Sequence, residues 1–176
     1  MNIDELNEKI QNESENLNAL KGYEIICESL IYKINDIFGK NMLLSMLYQI
    51  GTGPGEMIAK RIKTKYNKEE FELMEAFQIL LKELKDFYSI KVRNIEIYGE
   101  NSVRLTIENR CFLRESIKNR DRMQFGKAFC RVNKGYFEQA LKFLVGKKLL
   151  DVDIKFLYND EDKDVCVEQL EFHLLK

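Results

Sequence analysis

The sequence predicts an α+β domain, with helices packed on one face of an antiparallel sheet of about four strands, in the order α-α-α-α-β-β-α-β-β. Three observations lead there. Apolar residues recur at three- and four-residue spacings over most of the first 88 positions, as amphipathic helices require. The period then changes to two over residues 90–98 and 102–111, and again over 149–158 and 165–174, with one helical stretch between the pairs. Strands that come in pairs, segregated from the helices, form antiparallel sheets with one face left for helices to cover.

Residues 2–20 place Ile3, Leu6, Ile10, Leu17 and Leu20 on a narrow helical seam, broken at Glu13. So short a helix is not stable alone and is expected to dock on the body or on a partner. Residues 1–20 therefore read as an appendage and residues 21–176 as one domain, with Lys21-Gly22 as the junction. A helix over 23–38 follows, carrying Ile26, Leu30, Ile34 and Ile37 on one face and stopping at Gly39. Asn41 can cap a third helix, rich in Met and Leu through Ile50, and Gly51-Thr-Gly-Pro-Gly55 predicts an interruption or kink before a basic stretch ending near Tyr66. The clearest periodicity covers 68–88, where Phe71, Met74, Phe77, Leu81, Leu84 and Phe87 recur.

Gly99-Glu-Asn joins the first two strands as a hairpin. A charged connection leads to a helix over about 124–145, ending at Gly146. The strand at 149–158 carries Leu150, Val152, Ile154, Phe156 and Tyr158 on one face, a polar turn spans 159–164, and 165–174 is the last strand.

With 28 basic and 29 acidic residues among 176, the formal net charge is −1, which supplies no global field to attract nucleic acid or anionic lipid. Nucleic-acid binding is not expected. No run approaches the roughly 18 apolar residues of a membrane span, and Met1-Asn-Ile-Asp-Glu-Leu is too acidic for a secretory signal, so a cytoplasmic protein is expected. Four cysteines in that setting are reduced thiols, metal ligands or catalytic groups rather than a disulfide framework.

Three of those thiols lie on the apparent inward side of different elements. Cys111 closes an alternating run in which Val103, Leu105 and Ile107 share its parity; Cys130 shares a helix face with Phe137; Cys166 shares parity with Leu170, Phe172 and Leu174. Cys111, Cys130 and Cys166 can therefore converge. They read either as core cysteines or as ligands of a zinc ion, which takes thiolates from separate elements, although no Cys-x-x-Cys pair is present. Catalysis finds less support. A nucleophilic cysteine needs a base, and His173, the only histidine, has the opposite parity to Cys166. No catalytic residue is assigned. Gly51–Gly55 follows a helix and lacks the Gly-Lys-Ser/Thr ending of a phosphate loop, and the turn at 159–164 lacks the glycine and distal glutamate of a calcium loop. Met46 and Tyr48 on the third helix, with Phe125 and Phe129 on the fifth, are the candidate lining of an apolar ligand pocket between helices and sheet.

The run Cys130-Arg-Val-Asn-Lys-Gly135-Tyr136 resembles the Cys-x4-Gly-Tyr helix of the 4-vinyl-reductase-type domain, a small-molecule and hydrocarbon-binding family. The Gly146-Lys147 turn, two closing strands containing Cys166, Glu108-Asn-Arg-Cys111, and Leu47-Tyr48-Gln-Ile-Gly51 with Gly55 extend the resemblance over residues 23–175. It departs at Tyr158, where family members often have a further cysteine, and at Lys163-Asp164, where they have Gly-Asp. The resemblance implies an architecture related to TRAPP vesicle-tethering subunits and haem nitric-oxide sensors. It also implies a metal-binding role for Cys111, Cys130 and Cys166, with zinc as the cofactor. The expectation is a stand-alone, homodimeric binding or sensor module for a hydrophobic small molecule, with no enzymatic activity assigned. The alternatives are a dimeric interaction protein of TRAPP-like architecture and an accessory protein of tetrapyrrole metabolism.

Overall fold

The computed structural model describes residues 2–5, 7–8, 19–99, 101–113 and 128–175. It divides into two compact units, Met1–Lys40 and Asn41–Lys176. Residues 3–5 and 7–8 are helical, while Leu6, Ile10 and Leu17 of the N-terminal seam lie outside the described residues.

Helix α1 (Ala19–Tyr66) runs through Lys21 and Gly22 without the junction expected there, because neither residue leaves helical geometry. Its one non-helical residue is Gly39 (φ 78°, ψ 169°), a left-handed conformation that glycine takes without a Cβ penalty. The predicted stop falls at this residue: the run is two helices joined by a kink at Gly39. Gly51–Gly55, expected to interrupt the helix, stays helical with Pro54 inside it.

Helix α2 (Leu73–Glu83) is shorter than the predicted 68–88. Asn67 is left-handed (φ 48°), the Phe71 N–H donates to the Leu144 carbonyl at 2.9 Å, and Glu72 is extended, so the chain enters the helix only at Leu73. At the far end the N–H groups of Phe87 and Tyr88 turn back onto the Leu84 carbonyl, both at 2.9 Å, and the chain becomes strand β1 (Tyr88–Tyr98). Strand β2 (Ser102–Cys111) completes the first hairpin. Helix α3 (Cys130–Val145) and a short 3-10 turn (Gly146–Lys148) lead into strands β3 (Leu149–Asp160) and β4 (Val165–Leu174). The class is α+β, as expected, with one helix between the two hairpins.

All pairings are antiparallel, in the order β1-β2-β4-β3, so β2 and β4 are central and β1 and β3 are the edges. The inner face is set by register: Val103 faces Phe172, Leu105 faces Leu170, Ile107 faces Glu168 and Asn109 faces Cys166. Val152 and Ile154 of β3 continue the first two rows. Register shifts between Leu149 and Asp151 and between Phe156 and Tyr158 overturn part of the predicted parity. A bulge turns successive side chains to the other face, so Leu149 is buried while Leu150 and Tyr158 are exposed. The opposite face is ionic. Arg93 donates to Glu108 (2.7 Å), to the Tyr158 hydroxyl (2.7 Å) and to Asp160 (3.3 Å), spanning from β1 to β3.

Phe71, Phe77, Leu80, Leu105, Leu141, Leu144, Leu170 and Phe172 form the core, each worth about 1.5–3 kcal/mol of burial. The glycines of the 51–55 run explain how α3 sits. A Cβ on Gly51 would fall on the Val132 carbonyl, one on Gly55 on the Tyr136 carbonyl, and one on Gly135 on the Tyr48 carbonyl. Helices α1 and α3 therefore cross backbone to backbone.

Candidate functional site

The antiparallel register and the start of α3 bring the three sequence-singled cysteines together. Cys166 is opposite Asn109, Cys111 closes β2 opposite Tyr88, and Cys130 opens α3 over them. The Cys130 thiol is pushed up to about 12, first by burial and then by Glu168, Cys166 and Cys111. None of the four cysteines is in a disulfide, and Cys27 is exposed on α1. Among the described residues no group of three or more His, Cys, Asp or Glu side chains is disposed to hold a metal ion. Cys111, Cys130 and Cys166 would supply three thiolates to a zinc ion, and no step is routed through a metal.

Beside the thiols lies a feature that the apolar pattern alone did not flag. A cavity of about 20 Å³ between α3 and the inner face is walled by Ile90, Ile107, Phe137, Ile154 and Leu170, with Cys130, Asn109, Asn133, Lys134 and Glu168 completing it. Asn109 Nδ2 donates to Glu168 Oε2 at 3.0 Å, and both residues are buried. Burial raises the Glu168 carboxyl above the ordinary glutamate range, and the Asn109 bond only partly opposes it. Among the described residues none donates to the buried Asn109 Oδ1. Leaving such an acceptor unmade costs about 1–3 kcal/mol, so a donor is favoured at this point. At the rim, the Tyr88 hydroxyl donates to Asn133 Oδ1 at 2.9 Å, with the Tyr88 ring edge-on to Phe137 at 4.9 Å.

A second, open cleft of about 460 Å³ lies over edge strand β3 and is lined by Tyr48, Lys134, Glu138, Lys142, Lys155 and His173 together with Asp151, Val152, Asp153 and Glu171. The Tyr48 hydroxyl donates to Glu138 Oε2 at 2.8 Å, and burial, then that bond, push it up to about 12. Lys134 stands 2.6 Å from Asp153 and 3.4 Å from Glu138. Most charges here are neutralised in pairs.

Of the four expected pocket residues, Tyr48 thus lines the charged cleft. Met46 is exposed, Phe129 is half-buried just before α3, and Phe125 lies outside the described residues. Asn109, Asn133 and Glu168 were missed. The signal existed: Asn109 stands between Ile107 and Cys111, and Glu168 between Cys166 and Leu170, each a polar residue at inward parity.

No protein-family model matches the sequence. No curated protein matches it either. Solved structures do match. The phenol-responsive sensory domain of the transcription activator PoxR, determined with phenol, superposes with a TM-score of 0.57 at 13% identity, over 85% of this chain and 74% of that one. A trafficking protein particle complex subunit 3 from Naegleria fowleri, covalently bound to palmitic acid, superposes with a TM-score of 0.53 at 10% identity, over 88% of this chain and 93% of that one. At these identities the likeness is one of fold, and the fold is shared with a small-molecule sensory domain and with a trafficking-complex subunit.

Proposed function

We propose that this chain is a small-molecule-binding module of sensor type, of the 4-vinyl-reductase-type class, whose receptor is the compartment between α3 and the inner sheet face. The observation that carries the reading is Asn109 Oδ1, a buried acceptor to which no described residue donates, beside a Glu168 carboxyl raised by burial and a wall that includes Ile90, Ile107, Phe137, Ile154 and Leu170. A guest with an apolar body and one hydroxyl suits this compartment, its hydroxyl donating to Asn109 Oδ1 and its body lying on the apolar side chains.

The fold's use in a domain solved with phenol and in a subunit carrying palmitic acid supports the reading. A volume of about 20 Å³ holds one water, for which about 10–15 Å³ suffices. A larger guest therefore enters only with displacement of α3 or of the wall, and that displacement is the response a sensor transmits.

Thermal denaturation with phenol and with toluene tests this. Phenol at a hundredfold excess over its dissociation constant stabilises by about 2.7 kcal/mol. It should raise the melting temperature of the wild type, toluene should act more weakly, and Asn109→Leu should remove the difference. No shift with either compound at millimolar concentration overturns the reading.

A further inference from the structure

Two spaces within the unit Asn41–Lys176 meet at one side chain. Among the described residues, Lys134 alone lines both the compartment under α3 and the open cleft of about 460 Å³ over β3. Its neighbours divide between the two. On α3, Phe137 lines the compartment and Glu138 the cleft; on β3, Ile154 lines the compartment and Asp153 the cleft. Successive strand residues point to opposite faces, so the partition follows the backbones of α3 and β3, and Lys134 crosses the gap between them. Its ammonium stands on the cleft side, 2.6 Å from Asp153 Oδ1 and 3.4 Å from Glu138 Oε1. The stem is what remains to close the compartment.

We propose that Lys134 is the gate of the compartment, and that the β3 cleft is the vestibule through which a small guest enters and leaves. The flank of α3 that meets α1 cannot serve, because Gly135, Gly51 and Gly55 stand there against opposing carbonyls, and backbone does not rotate aside. A lysine stem does, being four flexible carbons whose rotamers exchange within nanoseconds where the side chain reaches solvent. The latch releases readily. The Lys134 and Asp153 side chains are 21% and 33% exposed, and an ion pair that shares water holds weakly. Its acceptors stay in place when it lets go. Lys155 Nζ stands 3.2 Å from Asp153 Oδ2, and the Tyr48 hydroxyl donates to Glu138 Oε2 at 2.8 Å, so each carboxylate is held through its second oxygen. Opening joins a space of about 20 Å³ to one of about 460 Å³, which lets a larger guest sit in the compartment with part of its body in the gap. The wall displacement that such a guest requires thereby falls to one side chain. The gate takes its guest from the function proposed above, and its geometry stands apart from it.

Access can be read without that guest. An Ile154→Cys variant of the full chain places a thiol in the compartment wall, and methyl methanethiolsulfonate, small and uncharged, modifies it at a rate followed by peptide-resolved mass spectrometry. Adding Lys134→Ala should raise that rate about tenfold or more, since modification tracks the population of the open form. Asp153→Asn keeps the stem and loosens the latch, and should raise it about threefold. Lys142→Ala breaks the next ion pair between α3 and β3, at 3.1 Å to Asp151, yet borders the cleft alone, and should change it by less than about twofold. Phenol exchange followed by NMR line shape should quicken about tenfold in both directions in Lys134→Ala, with the dissociation constant held within about threefold. A rate indifferent to both Lys134→Ala and Asp153→Asn places the entrance elsewhere and overturns the gate. So does an equal response to Lys142→Ala, which would mean a general loosening of α3, or phenol exchange unchanged by Lys134→Ala. Labelling that responds as expected while phenol fails to bind upholds the gate and removes the function proposed above.

Discussion

On the side of α3 that meets α1, Gly135 takes the Tyr48 carbonyl where a side chain would stand, and Gly51 and Gly55 take the carbonyls of Val132 and Tyr136. On the side that meets the sheet, the same helix stands off far enough to leave a cavity, beside an amide oxygen to which no described residue donates and a carboxyl raised by burial. One flank of the helix has no spare space and the other has space lined in part by polar groups. The contrast shows how a small domain keeps a cavity beside a tightly packed helix. Backbone contact on one flank sets the height of α3, so core side chains need not fill the other flank to hold it in place.

The contrast breaks most readily at the crossing. Gly135→Ala drives a methyl into the Tyr48 carbonyl and forces the helices apart, at a cost of about 3 kcal/mol or more in urea denaturation. A loss below about 1 kcal/mol would show the crossing to be looser than described. On the cavity side, Asn109→Leu alone removes the donor to Glu168 and should cost about 1–3 kcal/mol. Adding Glu168→Leu should recover most of that loss, because removing both partners leaves nothing buried and unpaired; a double mutant worse than the single would mean the pair is structurally required.

The raised Glu168 carboxyl also sets a pH dependence. Below the ordinary glutamate value of 4.5 it is protonated in both folded and unfolded chains and adds no slope. Above 4.5 the unfolded chain releases a proton that the folded chain retains, so stability falls as pH rises through the raised folded value. Asp151 and Asp153, lowered chiefly by hydrogen bonds from Lys142 and Lys134, act the other way, contributing stability above the ordinary range that is lost as the pH falls through their folded values. Urea midpoints measured from pH 4.5 to 8 should decline in the wild type and stay flatter in Glu168→Gln; parallel curves would remove Glu168 as the source.

The smallest effect is chemical. Exposed Cys27 should react with a disulfide reagent at pH 8 well before Cys130, whose thiol sits at about 12. Elemental analysis of untreated protein belongs with that titration: about one zinc per chain would assign Cys111, Cys130 and Cys166 as ligands, and no transition metal would leave them as core thiols.

Local rules made the two hairpins readable, because period-two alternation is carried by the residues themselves. The convergence of Cys111, Cys130 and Cys166 followed from parity in the same way. What escaped depended on distant partners. The true start of α2 is set by Phe71 giving its N–H to Leu144, and nothing near Phe71 in sequence announces that bond. The outward turn of Leu150 depends on how β3 slips against β4. Gly51 and Gly55 read as a helix interruption because their use, the close passage of another helix, belongs to a residue run far downstream. Asn109 and Glu168 were legible in principle, since a polar residue at inward parity is a buried polar residue.

Because α1 and α3 touch backbone to backbone, their crossing works as a fulcrum. From Gly135 the Cys130 end of α3 extends about 8 Å and the Leu144 end about 14 Å. A guest that lifts the short arm at Cys130 by about 1 Å swings the long arm nearly twice as far in the opposite sense. The carbonyl at that end is the one the Phe71 N–H holds, at 2.9 Å. On the function proposed above, occupancy beneath Cys130 would be leveraged onto the connection between α1 and α2, on the far side of the pivot from the guest.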